Sequence, residues 1–304
     1  MAAERILVIK LGALGDVVQA LGPMAAIRRH HADARIVLLT SAPFVGFLGR
    51  SPYVDEVWLD ERPRLIDLPG ILRLRRRLRA GRFARVYDLQ TSDRSSFYHR
   101  LMGPGARPEW SGIARGASHR HADPERERMH TLERQRDQLR LAGIAEVPLP
   151  DLSWADADLH AFGLPERYAV LVPGGAPHRP EKRWPIERYR ALAELLDARG
   201  VMPLTIGGAA ERALGTAIPA ARDLTGRTSL AEVAAIGRRA LAAVGNDTGP
   251  MHLLVAAGVP ATVLFSGASD PALTAPRGDR VTILRRDPLA DLSVEEVAAT
   301  LAIG

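Results

Sequence analysis

The sequence VGNDTGPMHLLVAA, residues 244–257, connects a predicted strand to a predicted helix. Residues 240–244 form a short apolar run, which predicts a buried strand that stops at the loop GNDTGP of residues 245–250. A helix is expected next, because apolar residues recur at helical spacing and Pro250 suits a first helical position, where its missing N–H costs nothing. A buried strand followed by a loop and a helix is one repeat of an α/β fold.

The start of this helix is a predicted anion site. The free N–H groups of a first helical turn lie at the positive end of the helix dipole, and together they attract phosphate groups. Thr248 adds a hydroxyl donor, and Gly249 lets a phosphate come close to the backbone. Asp247 is better suited to accept hydrogen bonds from sugar hydroxyls. Taken alone, the stretch predicts a site for the phosphate end of a nucleotide ligand.

Length and composition set the outer limits. A chain of 304 residues is long for a single core, so two domains of about 150 residues each are expected. The absence of cysteine excludes disulfides, thiolate catalysis and cysteine-ligated zinc. No apolar run approaches the roughly 18 residues of a membrane span, and the first residues, MAAERILVIK, enter a strand at once. We therefore expect no secretory signal and a cytoplasmic protein.

The formal charge of +6 is carried almost wholly by arginine, because Lys10 and Lys182 are the only lysines. A compact ammonium binds differently from a planar guanidinium, so both lysines are candidate site residues, with chance and coding bias as the alternative. A basic chain suits nucleic acids, membranes or phosphorylated ligands. The sequence has no zinc-finger spacing and no aromatic RNA-binding signature, so nucleic acid is not an expected partner.

The first half of the chain alternates strand and helix patterns. Strand-like runs, separated by helix-sized segments, lie at residues 5–10, 35–40, 54–59 and 85–89. This alternation predicts a parallel α/β sheet. The glycine turn at residues 11–16 is similar to a dinucleotide fingerprint, but Val18 occupies the place of the third glycine.

Residues 71–82, ILRLRRRLRAGR, predict a helix with one apolar face among arginines. Ile71, Leu74 and Leu78 lie on that face. We interpret the segment as a surface helix that docks on the sheet. The alternative is a peripheral contact with the anionic head groups of a membrane.

Polar residues follow the fourth predicted strand, at positions 87–96. Loops at the carboxyl ends of parallel strands line the ligand crevice, so Gln90 and Arg94 are candidate acceptor-binding residues. Their alternative roles are those of turn and cap formers.

Residues 115–130 are dense in arginine and histidine with almost no apolar content. The segment is expected to be a solvated loop or a lid that faces an acceptor. Its histidines lack metal spacing and are expected to be solvated; they are His119, His121 and His130.

After a helix at residues 131–143 and a linker rich in proline and aspartate at 146–166, the strand and helix pattern restarts. Further strands are predicted at residues 168–173, 201–206, 223–226, 261–265 and 280–285. The chain is therefore predicted to form two Rossmann-like domains, residues 1–155 and 156–304, with the last helix able to pack back on the first domain.

Four motifs appear in order along the chain. Lys10-x4-Gly15-Asp16 has Pro23 downstream; Pro173-Gly174 is followed by Lys182-Arg183-Trp184-Pro185; then come Gly207-Gly208-x2-Glu211 and the sequence GNDTGPMH at residues 245–252. At this spacing they resemble the motifs of glycosyltransferase family 9, the ADP-heptose:lipopolysaccharide heptosyltransferases and their relatives. The resemblance covers nearly the whole chain.

The resemblance implies a GT-B fold, in which two Rossmann-like domains with parallel sheets face each other across a cleft. The first would bind the acceptor and the second the nucleotide-sugar, with inverting transfer and neither metal nor cofactor. No Asp-x-Asp motif lies at a strand end to bind a metal, which agrees with transfer that needs no metal. The expected donor is ADP-heptose, and relatives carry other sugars. The expected acceptor is a Kdo residue, an inner-core heptose or another glycan, reached in the cytoplasm or at the inner face of the inner membrane.

The resemblance also assigns roles at the donor side. Without a metal, the departing nucleotide diphosphate needs another source of positive charge or hydrogen-bond donors. Lys182 and the amides of Thr248, Gly249 and Met251 are the candidates.

Further roles follow residue by residue. Asp16 would be the base that takes the acceptor proton, although an aspartate at a helix start is by itself more typical of a cap. Lys10 would touch the donor phosphate or the acceptor, or keep Asp16 ionised. Glu211 lies where the family binds ribose, and Asp247 where it binds sugar hydroxyls. His252 would either contact the donor or brace the loop.

Three other classes of protein remain open from the sequence. A nucleotide-sugar epimerase can share the two-domain architecture. A dinucleotide-dependent oxidoreductase needs an acidic residue about 20 positions after its fingerprint, near Asp33, as well as the glycine that is missing here. A non-catalytic nucleotide-binding module is the third.

Overall fold

The structure, a computed structural model, describes residues 3–64, 66–103, 108–176, 178–301 and 303. The chain divides into two compact units, which we call unit 1 (Met1–Pro150) and unit 2 (Asp151–Gly304). The boundary falls inside the segment that composition predicts as a linker. Across the described ranges, no helix combines the length and the apolar character needed to cross a membrane.

Unit 1 contains alternating strands and helices. The strands are β1 (Arg5–Ile9), β2 (Arg35–Thr40), β3 (Glu56–Leu59), β4 (Arg85–Asp88), β5 (Glu109–Gly112) and β6 (His119–Arg120). The α-helices are α1 (Leu14–Gln19), α2 (Leu21–His30), α3 (Ala42–Leu48), α4 (Leu68–Ala80), α5 (Asp93–Met102) and α6 (Thr131–Leu141), and Arg126–Arg128 form a 3-10 helix.

The described strands of unit 1 form one parallel sheet in the order β3-β2-β1-β4-β5-β6. The central strand β1 lies between β2 and β4, with Leu7 opposite Val37 and Val86. It is buried along almost its whole length, as expected for a parallel strand covered on both faces. The chain changes direction across the sheet between β1 and β4, so their carboxyl ends form the topological switch point where α/β proteins bind ligands.

Helix α4 confirms the predicted docking of the arginine-rich segment on the sheet. Leu74 and Leu78 are buried in the same core cluster as Leu7 of β1. The Asp67 side chain accepts a hydrogen bond from the Gly70 amide at 2.9 Å and caps the helix start. The helix therefore begins three residues before the predicted segment, at a cap that apolar periodicity alone does not indicate.

Unit 2 repeats the alternation. Its strands are β7 (Tyr168–Val172), β8 (Met202–Thr205), β9 (Arg222–Asp223), β10 (Ala242–Asn246), β11 (Ala261–Phe265) and β12 (Val281–Arg285). Its α-helices are α7 (Ile186–Ala198), α8 (Arg212–Thr216), α9 (Leu230–Arg239), α10 (Gly249–Ala256), α11 (Pro271–Thr274) and α12 (Val294–Ala298). Its 3-10 helices are His160–Phe162, Pro180–Lys182, Ala209–Glu211 and Leu289–Asp291.

The described strands of unit 2 form a parallel sheet in the order β12-β11-β10-β7-β8-β9. Counted within the unit, this is the same order as in unit 1, so the switch point lies between β7 and β10. Helix α12 packs on α7 inside unit 2, where Val297 shares a core cluster with Leu192 and Leu196.

Two sequence expectations need correction. Strand β10 ends at Asn246, two residues beyond the predicted end, because Gly245 and Asn246 continue the backbone pairing with β11. Strand β6 lies within residues 115–130, which we expected to be a solvated loop or a lid. Its backbone pairs with β5 although its side chains are polar, so side-chain pattern gave no signal for it.

Candidate active site

Asn246 organises the switch point of unit 2. It is the last residue of β10 and is fully buried. Its Nδ2 donates to the carbonyls of Pro173 and Gly174 at 2.9 and 3.0 Å, and its Oδ1 accepts from the Trp184 amide and the Tyr189 hydroxyl at 2.9 and 3.1 Å. One side chain thus holds three segments together.

Sequence reasoning missed this residue. The signal that marks it is rarity, since Asn246 is the only asparagine among 304 residues. An amide that must donate and accept at the same time cannot be replaced by aspartate or by an apolar residue without breaking some of these bonds.

The start of helix α10 offers fewer free backbone amides to an anion than the sequence predicts. Thr248 is its N-cap and Gly249 its first residue, so Pro250 occupies the second position rather than the first. The Met251 amide donates to the Thr248 carbonyl at 3.0 Å, which removes it from the predicted phosphate donors. Among the described residues, no acceptor binds the amides of Thr248 and Gly249, and the Thr248 hydroxyl makes no capping bond. These groups are left for a ligand.

Lys182 and Asp247 are paired. The Lys182 ammonium donates to Asp247 Oδ2 at 2.7 Å, and both side chains are largely buried. The sequence assigned them separate partners, diphosphate and sugar. The geometry instead places the cation beside the loop that starts α10. An ammonium has three donors, so a bond to Asp247 leaves two for a ligand.

Glu211 joins the two glycine-rich loops that follow β7 and β8. Its carboxylate accepts from the amides of Gly175 at 2.9 Å and Gly208 at 2.7 Å. A Cβ on Gly174 would lie 1.8 Å from Glu211 Oε1, so a larger residue there would displace this carboxylate. Both carboxylate oxygens keep lone pairs, and the ribose role stays a prediction. His252 is buried within α10, and its role likewise stays a prediction.

The switch point of unit 1 is a polar cavity of about 230 Å³. Its lining includes Lys10, Asp16, Gln90, Arg126 and Arg134. The structure thus brings together the predicted base and the predicted lysine.

Lys10 directly follows β1 and is almost fully buried, with its ammonium donating to the Leu89 carbonyl at 3.2 Å. Burial lowers the pKa of Lys10, and the negative charges of Asp16 and Asp88 oppose that effect. Lys10 thus interacts electrostatically with both carboxylates at the ends of β1 and β4.

Asp16 is the third residue of α1 and is exposed to solvent. Its Oδ2 accepts from the Ala13 amide at 3.2 Å, so the capping role that residue preferences favour is present. The same carboxylate lines the cavity. The role of base therefore stays a prediction for a side chain that also caps its helix.

Gln90 and Arg94, the two predicted acceptor residues, do not lie in the same cavity. Gln90 lines the cavity of Asp16, where its Oε1 accepts from the Leu11 amide at 2.8 Å. Arg94 lines a second cavity with Tyr98 and donates to its hydroxyl at 3.3 Å. Helix α5 carries Arg94 away from the strand end, which spacing along the sequence does not reveal.

Asp88 is a second residue that the sequence did not single out. It ends β4, is fully buried, and its Oδ1 accepts from the amides of Gln90 at 3.1 Å and Thr91 at 2.9 Å. Burial raises the pKa of Asp88 to about 6, although these hydrogen bonds act in the opposite direction. Asp88 thus fixes the loop that carries Gln90.

The expectation that the histidines of residues 115–130 are solvated is wrong. His121 and His130 are buried, and His119 is partly buried with its Nδ1 at 3.1 Å from the Leu141 carbonyl. His121 Nε2 lies 3.0 Å from Asp137 Oδ2, and His130 Nδ1 accepts from the Leu132 amide at the start of α6. An imidazole can be buried when its nitrogens find partners, and here each of the three histidines has a partner on α6.

Two parallel α/β units of identical strand order, each with polar groups at its switch point, are the architecture of the GT-B fold, and solved glycosyltransferases share it. Residues 71–299 match the family model for glycosyltransferase family 9 (heptosyltransferase). The chain belongs to this family, and the predicted fold and resemblance are confirmed. The epimerase, oxidoreductase and non-catalytic alternatives are thereby set aside. Among the residues that the structure describes, no group of three or more His, Cys, Asp or Glu could hold a metal ion.

The similarity to individual relatives agrees with this family membership. Lipopolysaccharide heptosyltransferase 2 of Escherichia coli (strain K12) is 27% identical over 306 residues, covering 92% of this chain and 88% of that protein. The crystal structure of a family 9 glycosyl transferase from Veillonella parvula DSM 2008 has a TM-score of 0.85 at 21% identity, covering 98% of this chain and 95% of the other. The E. coli ADP-heptose lps heptosyltransferase II has a TM-score of 0.80 at 22% identity, covering 97% of each chain.

Proposed function

We propose that this glycosyltransferase moves a heptose from ADP-heptose to the core of a lipopolysaccharide, with inversion at C1 and without a metal or other cofactor. Family membership supports the reaction class, and the name of the E. coli relative supports the donor. The observation that carries the proposal lies in unit 2. There the amides of Thr248 and Gly249 lie on the same loop as Asp247, which binds the Lys182 ammonium, and no acceptor in the described part of the chain binds these two amides.

On the donor side, the proposal uses fixed donors in place of a divalent cation. The two amides and the two remaining Lys182 protons would bind the diphosphate and stabilise the charge that develops as ADP departs. One such donor is worth about 10²- to 10³-fold in rate. Asp247 would hold Lys182 in place and accept hydrogen bonds from the sugar, while Glu211 would accept from the ribose.

On the acceptor side, Asp16 would act as the general base. The acceptor oxygen attacks C1 of the heptose, the bond from C1 to the phosphate oxygen breaks, and its electron pair leaves with ADP. The acceptor proton passes to Asp16. Lys10 lies close enough for its charge to interact with that of Asp16.

The decisive experiment compares Asp16→Asn with Asp33→Asn, an exposed control in the same unit. We expect Asp16→Asn to lower kcat by about 10²- to 10⁴-fold with little change in ADP binding, and Asp33→Asn to leave both unchanged. Lys182→Ala should weaken donor use, and chelators should have no effect. Retention at C1, full activity of Asp16→Asn, or a requirement for added metal would each contradict the mechanism.

A thermal-shift panel tests the donor separately. ADP and ADP-heptose should raise the melting temperature more than UDP, GDP or NAD, because a ligand that binds only the folded state stabilises it. A preference for UDP would overturn the donor assignment and leave the reaction class intact.

We further propose a cytoplasmic location with contact at the inner face of the inner membrane through α4 and the residues before it. Ile66 is 85% exposed, and Leu68 and Leu72 are also exposed. The exposed arginines Arg73 and Arg76 on the same helix suit anionic head groups.

Vesicle sedimentation tests this contact. The double variant Leu68→Ser and Leu72→Ser should bind vesicles containing phosphatidylglycerol less well than the native chain. Leu141→Ser, at another exposed leucine of unit 1, serves as the control. Equal binding of the double variant and the native chain would remove the contact.

A further inference from the structure

Hydrogen bonds fix the side chain of Arg126 in the wall of the unit 1 cavity. Its Nε donates to His121 Nδ1 at 3.1 Å and its Nη2 to Thr91 Oγ1 at 2.9 Å. Its side chain is only 13% exposed. A guanidinium fixed on two sides presents its remaining nitrogen in a defined direction, and here that nitrogen, Nη1, bonds Glu127 at 2.9 Å.

The bond to Arg126 fixes the state of His121. An arginine nitrogen only donates, so His121 Nδ1 must be the unprotonated nitrogen and Nε2 must carry the proton. That proton is donated to Asp137 Oδ2 at 3.0 Å, while Arg140 binds Asp137 Oδ1 at 3.2 and 2.7 Å. Burial lowers the pKa of His121, the charge of Arg126 lowers it further, and Asp137 and Asp123 oppose both. His121 is thus neutral at neutral pH.

The position of the Glu127 carboxylate indicates where another anion can bind. Its carboxylate lies between Nη1 of Arg126 at 2.9 Å and Nη1 of Arg134 at 3.5 Å, yet its side chain is 79% exposed. An exposed ion pair contributes little to stability, so a ligand can displace this carboxylate at low cost. Two arginines aimed at one exposed carboxylate form a site for another carboxylate or a phosphate.

We propose that Arg126 and Arg134 bind an anionic group of the acceptor, a carboxylate or a phosphate, in place of the Glu127 side chain. His121, oriented by Asp137, is the positioning residue that directs Arg126 into the cavity. The inference rests on the proposed function, because Asp16 lines the same cavity and would face the hydroxyl of the acceptor held there.

Binding of simple anions tests the site without any transfer reaction. Glucuronate represents a sugar carboxylate and sulfate a doubly charged oxyanion, and both stay ionised over the pH range in which histidine titrates. Their dissociation constants are measured by NMR titration at low salt. Stronger binding of glucuronate assigns a carboxylate, and stronger binding of sulfate assigns a phosphate.

Arg126→Ala should weaken binding at least about tenfold. The matched control is Arg128→Ala, which removes the same charge from the same 3-10 helix at a side chain that is 83% exposed. Glu127→Gln should strengthen binding about threefold or more by removing the competing carboxylate. This gain of affinity cannot arise from misfolding. Equal losses in Arg126→Ala and Arg128→Ala, or no gain in Glu127→Gln, would overturn the site.

The positioning role predicts a pH profile. As the pH falls through the lowered pKa of His121, Nδ1 gains a proton, loses its bond with Arg126, and anion binding weakens. Protonation of Glu127 or Asp16 would strengthen anion binding instead, so the sign separates these groups. His121→Asn, whose Oδ1 still accepts from Arg126, should keep the affinity and flatten the profile, whereas His121→Ala should lose affinity. An unchanged profile in His121→Asn would refute the role.

The two proposals fail separately. If Arg126→Ala binds anions like the native chain while Asp16→Asn abolishes transfer, only the anion site is wrong. If the anion site behaves as expected but Asp16→Asn still transfers heptose, the assignment of the base is wrong and the site stands.

Discussion

The substitution Asn246→Asp replaces one NH₂ group by an oxygen at the centre of unit 2 and leaves the side-chain shape unchanged. Oδ1 would still accept from the Trp184 amide and the Tyr189 hydroxyl. The other oxygen would face the carbonyls of Pro173 and Gly174, to which Nδ2 now donates at 2.9 and 3.0 Å. The variant therefore loses two hydrogen bonds and sets a buried oxygen against two others.

The magnitude follows from these contacts. Two lost hydrogen bonds cost about 1 kcal/mol each, and the carbonyls left unpaired in a buried site add about 1–3 kcal/mol. We expect unit 2 to lose about 3–5 kcal/mol of its free energy of unfolding at neutral pH. Burial raises the folded pKa of the new carboxyl above its unfolded value, so the variant is most stable at acid pH and loses stability as the pH rises.

Hydrogen-exchange mass spectrometry is the suitable assay, because it reports the two units separately. A loss of about 3 kcal/mol speeds exchange roughly 150-fold at amides that exchange through unfolding of unit 2. Peptides covering β7 and α7 should show this change, and peptides of β1 should not. Ala191→Asp, which adds the same charge at an exposed position of α7, should cost less than about 1 kcal/mol.

Two results would refute the reasoning. Native exchange rates at β7 and α7 in Asn246→Asp would show that the Nδ2 bonds do not stabilise unit 2. A stability loss that does not change between pH 5 and pH 8 would show that the new carboxyl does not titrate with a raised pKa in the folded chain.

Three further predictions concern other buried contacts. The pKa of Asp88 is raised to about 6, so its contribution to stability is present at acid pH. As the pH rises from about 4 to 6, the free energy of unfolding should fall by about 3 kcal/mol. Urea denaturation of unit 1 should show that Asp88→Asn removes this pH dependence. Glu211→Ala should destabilise unit 2 by about 2–3 kcal/mol through two lost amide bonds, against little change for the exposed Glu194→Ala, by thermal unfolding. Leu78→Ala should lower the free energy of unfolding by about 2–4 kcal/mol, because it removes a buried side chain. Leu72→Ala, at an exposed position, should lower it by less than about 1 kcal/mol, and urea denaturation measures both values.

The sheet was largely predictable because apolar runs mark buried parallel strands. The predicted bounds of β2 and β11 agree with the structure, and β1 differs by one residue. Strand β6 was not predictable, since a short edge strand is defined by backbone pairing and not by apolar content. Residues 115–130 therefore fold where the composition suggested solvent.

Only part of the candidate site was predictable, as single residues and not as pairs, since Asn246 and Asp88 were not singled out. Lys182 and Asp247 were each singled out, but their bond joins positions 65 residues apart, and no local pattern connects them. No local pattern connects His121 with Asp137 either, and their bond holds a histidine that we expected to be solvated in a buried position, where it accepts from Arg126. Local reasoning finds groups with unusual chemistry; only the fold decides which partner each one meets.

In both units a buried polar side chain fixes the loop at the switch point, but the two side chains differ in chemistry. Asp88 and Asn246 occupy equivalent places, at the ends of the fourth strands β4 and β10, and both are fully buried. Ionised Asp88 can only accept, so it fixes the amides of its own loop, and Lys10 and Gln90 join that loop to the end of β1. Asn246 also donates, so it ties the neighbouring strand's loop directly and carries no charge. Lys182 in unit 2 keeps two protons beyond its bond to Asp247, and we propose that they bind the diphosphate. In unit 1, Lys10 is buried near the carboxylates of Asp16 and Asp88, where we propose that Asp16 acts as the base.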